Sequence, residues 1–219
     1  MLYGVKINNE NTLVNYGLCL LADVSDQTPT LQEKRYQIPG RNGTVNASYA
    51  LTGYPIFNDR MLTFTLFKSA PDPELQEIRA ALMAKYQGTQ VQLIMPWDED
   101  HYFEGVIMFG QISGYNTGRI PVTMVAAPYR KKLQSTQVTQ EISTSAAQVV
   151  LQNEGMPTIP TFTATTAAQI TVGRANYSIE ANTPYTNTAL QMTADGLALQ
   201  VHTLSGTGTL TITYQEGTL

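Results

Sequence analysis

The sequence predicts a mostly β protein in two domains. Three observations carry this: apolar and polar residues alternate along most segments, Gly- and Asn-containing turn signals separate those segments, and charge divides the chain near residue 132. Successive side chains of a strand face opposite sides of a sheet, so a sheet with one buried side needs an apolar residue only at every second position.

Thr44, Asn46 and Ser48 alternate with Val45, Ala47 and Tyr49, and Leu62, Phe64 and Leu66 share one face. Ile120, Val122 and Met124 do the same, as do Leu197, Leu199 and Val201, and the run Thr209 to Tyr214 alternates threonine with Leu210, Ile212 and Tyr214. Pro39-Gly40-Arg41-Asn42-Gly43 holds an Asn-Gly pair suited to the positive φ of a tight hairpin, and Ser205-Gly206-Thr207-Gly208 is expected to turn the chain between the last two strands. One segment, Pro71 to Gly88, reads as a helix over 72–87: Asp72 is placed to cap it, Pro73 suits its first turn, Leu75, Ile78 and Leu82 form a stripe, and Gly88 closes it. A lone amphipathic helix among strands is expected to cover a sheet or barrel end rather than to carry a site.

The domains are expected at 1–132 and 133–219. Residues 1–132 hold 12 of the 13 Lys and Arg and 12 of the 17 Asp and Glu, whereas residues 133–219 keep only Arg174 against Glu141, Glu154, Glu180, Asp195 and Glu216. Arg130, Lys131 and Lys132 mark the seam, read as a solvated linker with an interdomain or subunit contact as the alternative.

Composition narrows function. Charged residues are 14% of the chain against roughly 25% in typical soluble domains, which suits a protein that buries much of its surface against neighbours. A net charge of -4 gives no basic field to hold a phosphate backbone, so DNA is expected to pass but not to be gripped. Cys19, the only cysteine, excludes an intrachain disulfide and a multi-cysteine zinc site, and reads as a buried inert thiol. No run approaches the roughly 18 apolar residues of a membrane span, and Met1-Leu2-Tyr3-Gly4 has no basic region leading into an apolar one. Direct membrane insertion is not expected, and synthesis in a cytoplasm is.

No constellation calls for catalysis. The chain has no Gly-x-Ser-x-Gly elbow, no His-Glu-x-x-His and no Gly-x-x-x-x-Gly-Lys loop. Trp97-Asp98-Glu99-Asp100-His101 gathers metal-capable groups, but consecutive residues diverge, and a solvated hairpin tip is the preferred reading. His101 and His202 have no nucleophile at a recognisable spacing. The glycines at 40 and 43 are not followed by a helix N-terminus, so they make a poor phosphate cradle. The expectation is therefore no enzyme, no cofactor and no metal.

The order of these features resembles the distal tail protein family, Dit, of long-tailed, non-contractile bacteriophages. Ile38-Pro39-Gly40-Arg41-Asn42-Gly43 is similar to that family's Pro-Gly-Arg-Asp-Gly hairpin, followed by Thr52-Gly53 and by Asn58-Asp59-Arg60 ahead of Leu62-Thr63-Phe64. Ala126-Ala127-Pro128-Tyr129-Arg130 is similar to the Ala-x-Pro-Tyr-Arg that ends the family's first domain. Asn153, Gly155 and Pro160 match the Asn-x-Gly and downstream proline early in the second, and Gly206 to Tyr214 resembles the terminal hairpin. Asn42 stands where the family commonly has Asp, and there is no inserted module of the kind that accompanies direct saccharide binding.

The resemblance implies a β-barrel-like N-terminal domain with one covering helix, then a galectin-like β-sandwich. It implies a homo-oligomer, a hexameric ring at the distal end of a phage tail, between the tail-tube protein and the tail-associated hub protein. The first domains would make the ring and the second would project outward and hold receptor-binding proteins. Arg41 and Arg60 are expected to pair with carboxylates or carbonyls around the hairpins rather than to contact a neighbour. The competing reading is a lectin-like carbohydrate-binding module using Tyr177 and Tyr185, weakened because the only tryptophan, Trp97, falls in the other domain.

Overall fold

The computed structural model describes residues 2–50, 52–112 and 118–219. The chain divides into two compact units, Met1–Arg130 with Leu219, and Lys131–Thr218.

The first unit contains β1 (Lys6–Ile7), β2 (Glu10–Asn11), α1 (Thr12–Tyr16), β3 (Cys19–Leu20), β4 (Ser25–Asp26), β5 (Arg35–Gln37), β6 (Thr44–Asn46), β7 (Arg60–Phe67), α2 (Asp72–Tyr86), β8 (Gln90–Met95), β9 (Asp98–Phe109) and β10 (Arg119–Ala126). Its main sheet runs β2-β1-β8-β9-β10-β7-β3, with β4 also on β7, and curls into a half-barrel. The pairings are antiparallel, and the registers Val122↔Phe64 and Met124↔Ile107 put Leu62, Phe64, Leu66, Ile107, Val122 and Met124 on one inner face. The alternation read from the sequence is the alternation of this sheet.

Helix α2 closes the concave side. Leu75, Leu82 and Tyr86 are buried in the same core as those strands, and Ile78 packs partly against it. Burying the two leucines contributes roughly 3 to 6 kcal/mol before chain entropy is counted. Pro71, not Asp72, occupies the N-cap and makes no side-chain cap bond; Asp72 is the first helical residue and, with Glu74, favours the positive end of the helix dipole. Gln87 is the C-cap and Gly88 follows at φ 70°.

Helix α1 was not legible as an apolar stripe because five residues are too few to show one. Its ends are nevertheless well marked. The Asn11 side chain accepts from the amides of Leu13 at 2.9 Å and Val14 at 3.3 Å, and Gly17 closes the turn at φ 70°. Cys19 is buried on β3, its thiol donating to the Phe67 carbonyl at 3.2 Å.

The second unit holds β12 (Thr136–Ile142), β13 (Ala147–Leu151), β14 (Thr161–Ala164), β15 (Ala168–Val172), β16 (Ala175–Ile179), β17 (Tyr185–Thr186), β18 (Leu197–Thr203), β19 (Gly208–Tyr214) and β20 (Gly217–Thr218), after the short β11 (Arg130–Lys132) at the boundary. Two four-stranded antiparallel sheets, β12-β19-β14-β17 and β13-β18-β15-β16, face each other as a β-sandwich. Phe162, Ile170, Leu190, Val201, Leu210 and Ile212 are buried between them.

One expected hairpin is corrected here. β18 and β19 belong to different sheets, so Ser205–Gly208 carries the chain across the sandwich instead of turning it back on itself. The Thr203 hydroxyl donates to the Gly206 carbonyl at 2.6 Å, and Gly208 sits where an added Cβ would lie 2.2 Å from Thr166 Oγ1. Strand alternation alone does not say which sheet a strand joins.

Candidate assembly surfaces

Residues 31–50 and 52–58 form an arm. Among the described residues β5 and β6 pair only with each other, in the register Arg35↔Asn46, Tyr36↔Val45 and Gln37↔Thr44. The arm is fastened at its base, where Leu31 bridges Phe57, the Asn58 amide donates to the Thr30 carbonyl at 2.8 Å, and the Asn58 side chain donates to the Thr30 hydroxyl at 2.9 Å. Buried Ser48 accepts from the Lys34 amide at 2.7 Å, fixing the strands to each other.

At the tip, Pro39 and Gly40 are the central residues of a turn closed by the Arg41 amide on the Ile38 carbonyl at 3.2 Å, with Gly40 at φ 79°. Proline followed by a positive-φ glycine is the type II pattern. Gly43 takes φ 78°, whereas Asn42 keeps a negative φ, so the connection is a six-residue loop rather than the two-residue Asn-Gly turn the sequence suggested. Arg41 is exposed on this loop and pairs with no carboxylate among the described residues, contrary to expectation; a Cβ added at Gly40 or Gly43 on either side of it would meet nothing within 4 Å. Tyr36, Ile38, Tyr49 and Ile56 are exposed along the arm, Tyr36 at 60%.

The convex face of the main sheet also carries apolar residues that are partly exposed among the described residues. The registers Met61↔Val125 and Val125↔Val106 place three apolar side chains in one row across β7, β10 and β9, and Met108 lies in the next row opposite Thr123. All four apolar residues are exposed. Carboxylates flank the row: Asp59 precedes β7, Glu104 lies on β9, and Asp23 accepts from the Thr65 hydroxyl at 2.6 Å.

Between arm and sheet lies a polar cluster that gathers several of the motif residues. Arg60 is 3% exposed, donates to both oxygens of Asp26 at 3.1 and 3.3 Å, and has its guanidinium carbon 5.3 Å from the Phe103 ring centre. Burial pulls its pKa down, Asp26 opposes that, and the nearby charge of Arg130 adds to it. Arg130 donates to Asp98 at 2.9 Å and reaches the Leu219 carbonyl at 3.5 Å. The other oxygen of Asp98 meets His101 Nδ1 at 2.7 Å. Tyr129 stands edge-on to Phe57, and burial raises its pKa. Pro128 precedes it, after the Ala127 amide has bonded the Glu104 carbonyl at 2.8 Å.

The expectation for residues 97–101 is thereby corrected. The turn is Pro96-Trp97, and Asp98 to His101 are the first residues of β9, paired from Met95↔Asp98. Asp98 is a partner of Arg130 and His101 rather than a solvated tip. No group of three or more His, Cys, Asp or Glu among the described residues is placed to hold a metal ion.

Asn153, Gly155 and Pro160 lie in the second unit. The Asn153 amide donates to the carbonyls of Met156 at 2.6 Å and Thr193 at 3.1 Å, Gly155 takes φ 128° inside that turn, and Pro160 is buried just before β14. Lys132 is not a solvated linker residue: its ammonium contacts Glu154 at 2.7 Å and buried Glu216 at 2.5 Å, and these partners raise its pKa. Glu216 also accepts from the Thr136 hydroxyl at 2.6 Å. An open cleft of about 500 Å³ on this unit is lined by Glu141, Ser143, Thr207 and Thr209 among others, with no aromatic ring. Tyr177 and Tyr185, on which the lectin reading rests, lie outside this cleft and are half-buried against the sandwich core.

A curled sheet with one covering helix, followed by a β-sandwich, defines the fold class. Over that whole fold the chain is similar to the SPP1 Dit (gp 19.1) protein, whose crystal structure is described as a paradigm of hub adsorption apparatus in phages infecting Gram-positive bacteria; the TM-score is 0.65, identity is 13%, and 100% of each chain is covered. A de novo designed double-stranded β-helix overlaps 37% of this chain and 97% of its own at 17% identity, with a TM-score of 0.28 that carries no argument. No family model matches the sequence, and no curated protein matches it.

Proposed function

We propose that this chain is a structural subunit of a bacteriophage tail tip, a distal tail protein without catalytic function. The observation that carries the reading is the end-to-end likeness of its fold to the SPP1 Dit protein, both units included. Two partly exposed apolar surfaces in the first unit support it, because apolar residues left exposed on an arm and on a sheet face suit a protein that docks on others.

In this reading residues 1–132 form a hexameric ring between the tail-tube protein and the tail-associated hub protein, and residues 133–219 project outward, where receptor-binding proteins attach. The ring lies at the distal end of the virion tail, its subunits having been made in the host cytoplasm. DNA is passing cargo, which agrees with a ring domain whose 12 basic and 12 acidic side chains balance. Asn153 and Gly155 keep the entry to the outer domain rigid, and Pro39 to Gly43 shape the tip of the arm.

Co-purification with a tail-tube protein and with a tail-associated hub protein tests the reading. A ternary particle seen by negative-stain microscopy, with the ring between the two partners, is the expected result. Failure of the chain to bind either would overturn it.

A further inference from the structure

The loop at the end of the arm holds the only Asn-Gly pair in the chain, Asn42-Gly43. Both residues are exposed, and a Cβ added at Gly43 would meet nothing within 4 Å. Among the described residues neither the Asn42 side chain nor the Gly43 amide has a hydrogen-bond partner. The side-chain amide carbon of an asparagine lies within ring-closing reach of the next residue's backbone nitrogen, an intramolecular pairing that needs no encounter. The two are ordinarily kept apart by the bulk of the following side chain or by a hydrogen bond that holds its amide. Gly43 presents neither obstacle.

The chain supplies its own contrast. Asp195-Gly196 is the only Asp-Gly pair, and Asp195 is as exposed a residue as Asn42. The Gly196 amide, however, donates to the Thr193 carbonyl at 2.9 Å, and a Cβ on Gly196 would lie 2.2 Å from the Leu151 carbonyl oxygen. That nitrogen is held in its turn and has no room to swing toward a neighbouring carboxyl. Asn15 and Asn182 are also exposed, but Tyr16 and Thr183 follow them. Exposure is common to all four positions, and of the four only Asn42 precedes a free glycine amide.

We propose that Asn42 is a self-modifying position, its side-chain amide converted to a carboxylate by the Gly43 backbone nitrogen with water as the only co-reactant. Solvent hydroxide takes the Gly43 amide proton, and the nitrogen attacks Asn42 Cγ. The N–Cγ bond forms, the Cγ–Nδ2 bond breaks and ammonia leaves, giving a five-membered succinimide. Water then opens the ring at either carbonyl. Opening at Cγ yields aspartate in an ordinary backbone, whereas opening at the main-chain carbonyl carbon yields isoaspartate, with the main chain routed through Cβ and one methylene longer. Either product puts a negative charge at the tip and lowers the net charge of the arm from +2, set by Lys34, Arg35 and Arg41 against Glu33, to +1. The open space around Gly40 and Gly43 accommodates the longer backbone, so β5 and β6 keep their register. The reaction needs no partner and is independent of the tail-tip reading.

The test incubates the purified full-length chain in neutral and in mildly alkaline buffer made with heavy-oxygen water, then maps its peptides by mass spectrometry. The peptide carrying Asn42 is expected to gain one heavy oxygen, faster in alkali, and to become a substrate for an isoaspartyl methyltransferase. The peptides carrying Asn15, Asn182 and Asp195 are expected to stay unlabelled over the same period. Unfolding the chain in urea should speed labelling at Asp195 and leave the rate at Asn42 unchanged, because the fold protects only the first. Asn42→Gln should abolish labelling of its peptide, and Gly43→Ala should reduce it to the level of Asn15; circular dichroism and melting temperature check that both variants fold. Three results would each overturn the proposal: an Asn42 that converts only once the chain is unfolded, a Gly43→Ala chain labelled as fast as the unaltered one, or labelling at Asp195 that keeps pace with Asn42 in the folded chain.

Discussion

The Phe57 ring stands edge-on to the Tyr129 ring, centroids 6.0 Å apart and planes at 87°. Phe57 ends the arm and Tyr129 ends the sheet unit, so this contact, 72 positions apart in sequence, fixes where the arm leaves the body. Beside it Arg60 and Arg130 hold separate carboxylates, Asp26 and Asp98.

Truncating either ring should loosen that anchor. Phe57→Ala and Tyr129→Ala are each expected to destabilise the first unit by about 1 to 3 kcal/mol, with a coupling of about 0.5 to 1.5 kcal/mol in the double-mutant cycle. Urea titrations of the four proteins measure it; simple additivity would mean the edge-on contact carries no energy of its own.

Arg60 is nearly inaccessible while Asp26 is 40% exposed, which makes the pair asymmetric. Asp26→Ala leaves a buried guanidinium with only the Phe103 ring and a nearby Arg130 charge, and should cost about 2 to 4 kcal/mol. Arg60→Met keeps the apolar stem and removes the buried charge, so it should cost less than Asp26→Ala. Thermal unfolding of the two variants ranks them, and the reverse order would contradict this assignment.

The Glu10 carboxylate accepts from Lys85, from the Tyr86 hydroxyl at 2.7 Å and from the Tyr16 hydroxyl at 3.1 Å. The Lys85 hydrogen bond, then that of Tyr86, holds its pKa below the ordinary range. A carboxyl depressed in the folded state stabilises above its unfolded pKa of about 4.3, and that contribution disappears as pH falls through the lower folded value. The gap in melting temperature between the unaltered chain and Glu10→Gln should therefore be open at pH 7 and shrink below about pH 4. A gap that persists undiminished in strong acid would rule this out.

Much of the fold was legible because its chemistry is local. Alternation marked β7, β10, β18 and β19, and the Leu75-Ile78-Leu82 stripe marked α2. What escaped depended on distant partners. Nothing in Ser205–Gly208 says that the strands on either side join different sheets, and the run Asp98 to His101 looks like a polar tip until Arg130 arrives from 32 positions away to pair with it. The motif residues divide in the same way. Arg60, Tyr129 and Arg130 meet around the arm base, while Pro39 to Gly43 lie at its tip and Asn153, Gly155 and Pro160 stabilise a turn in the other unit. The Asn11 and Gly17 caps were the one local signal that could have revealed α1.

Glycine positions separate close packing from backbone conformation. A Cβ on Gly105 would lie 2.1 Å from the Val125 carbonyl, so Gly105→Ala must push β9 from β10 and should cost about 3 kcal/mol. Gly40 has open space around it and only its φ of 79° at stake, so Gly40→Ala should cost about 1 kcal/mol. Chemical denaturation distinguishes the two, and equal losses would contradict the strand spacing described.

Native mass spectrometry of the purified full-length chain, at rising concentration and in low salt, tests the assembly account most directly. The account predicts a closed hexamer that dissociates without stable open intermediates as salt is raised. A monomer at every concentration, or an open series of oligomers growing without limit, would contradict it.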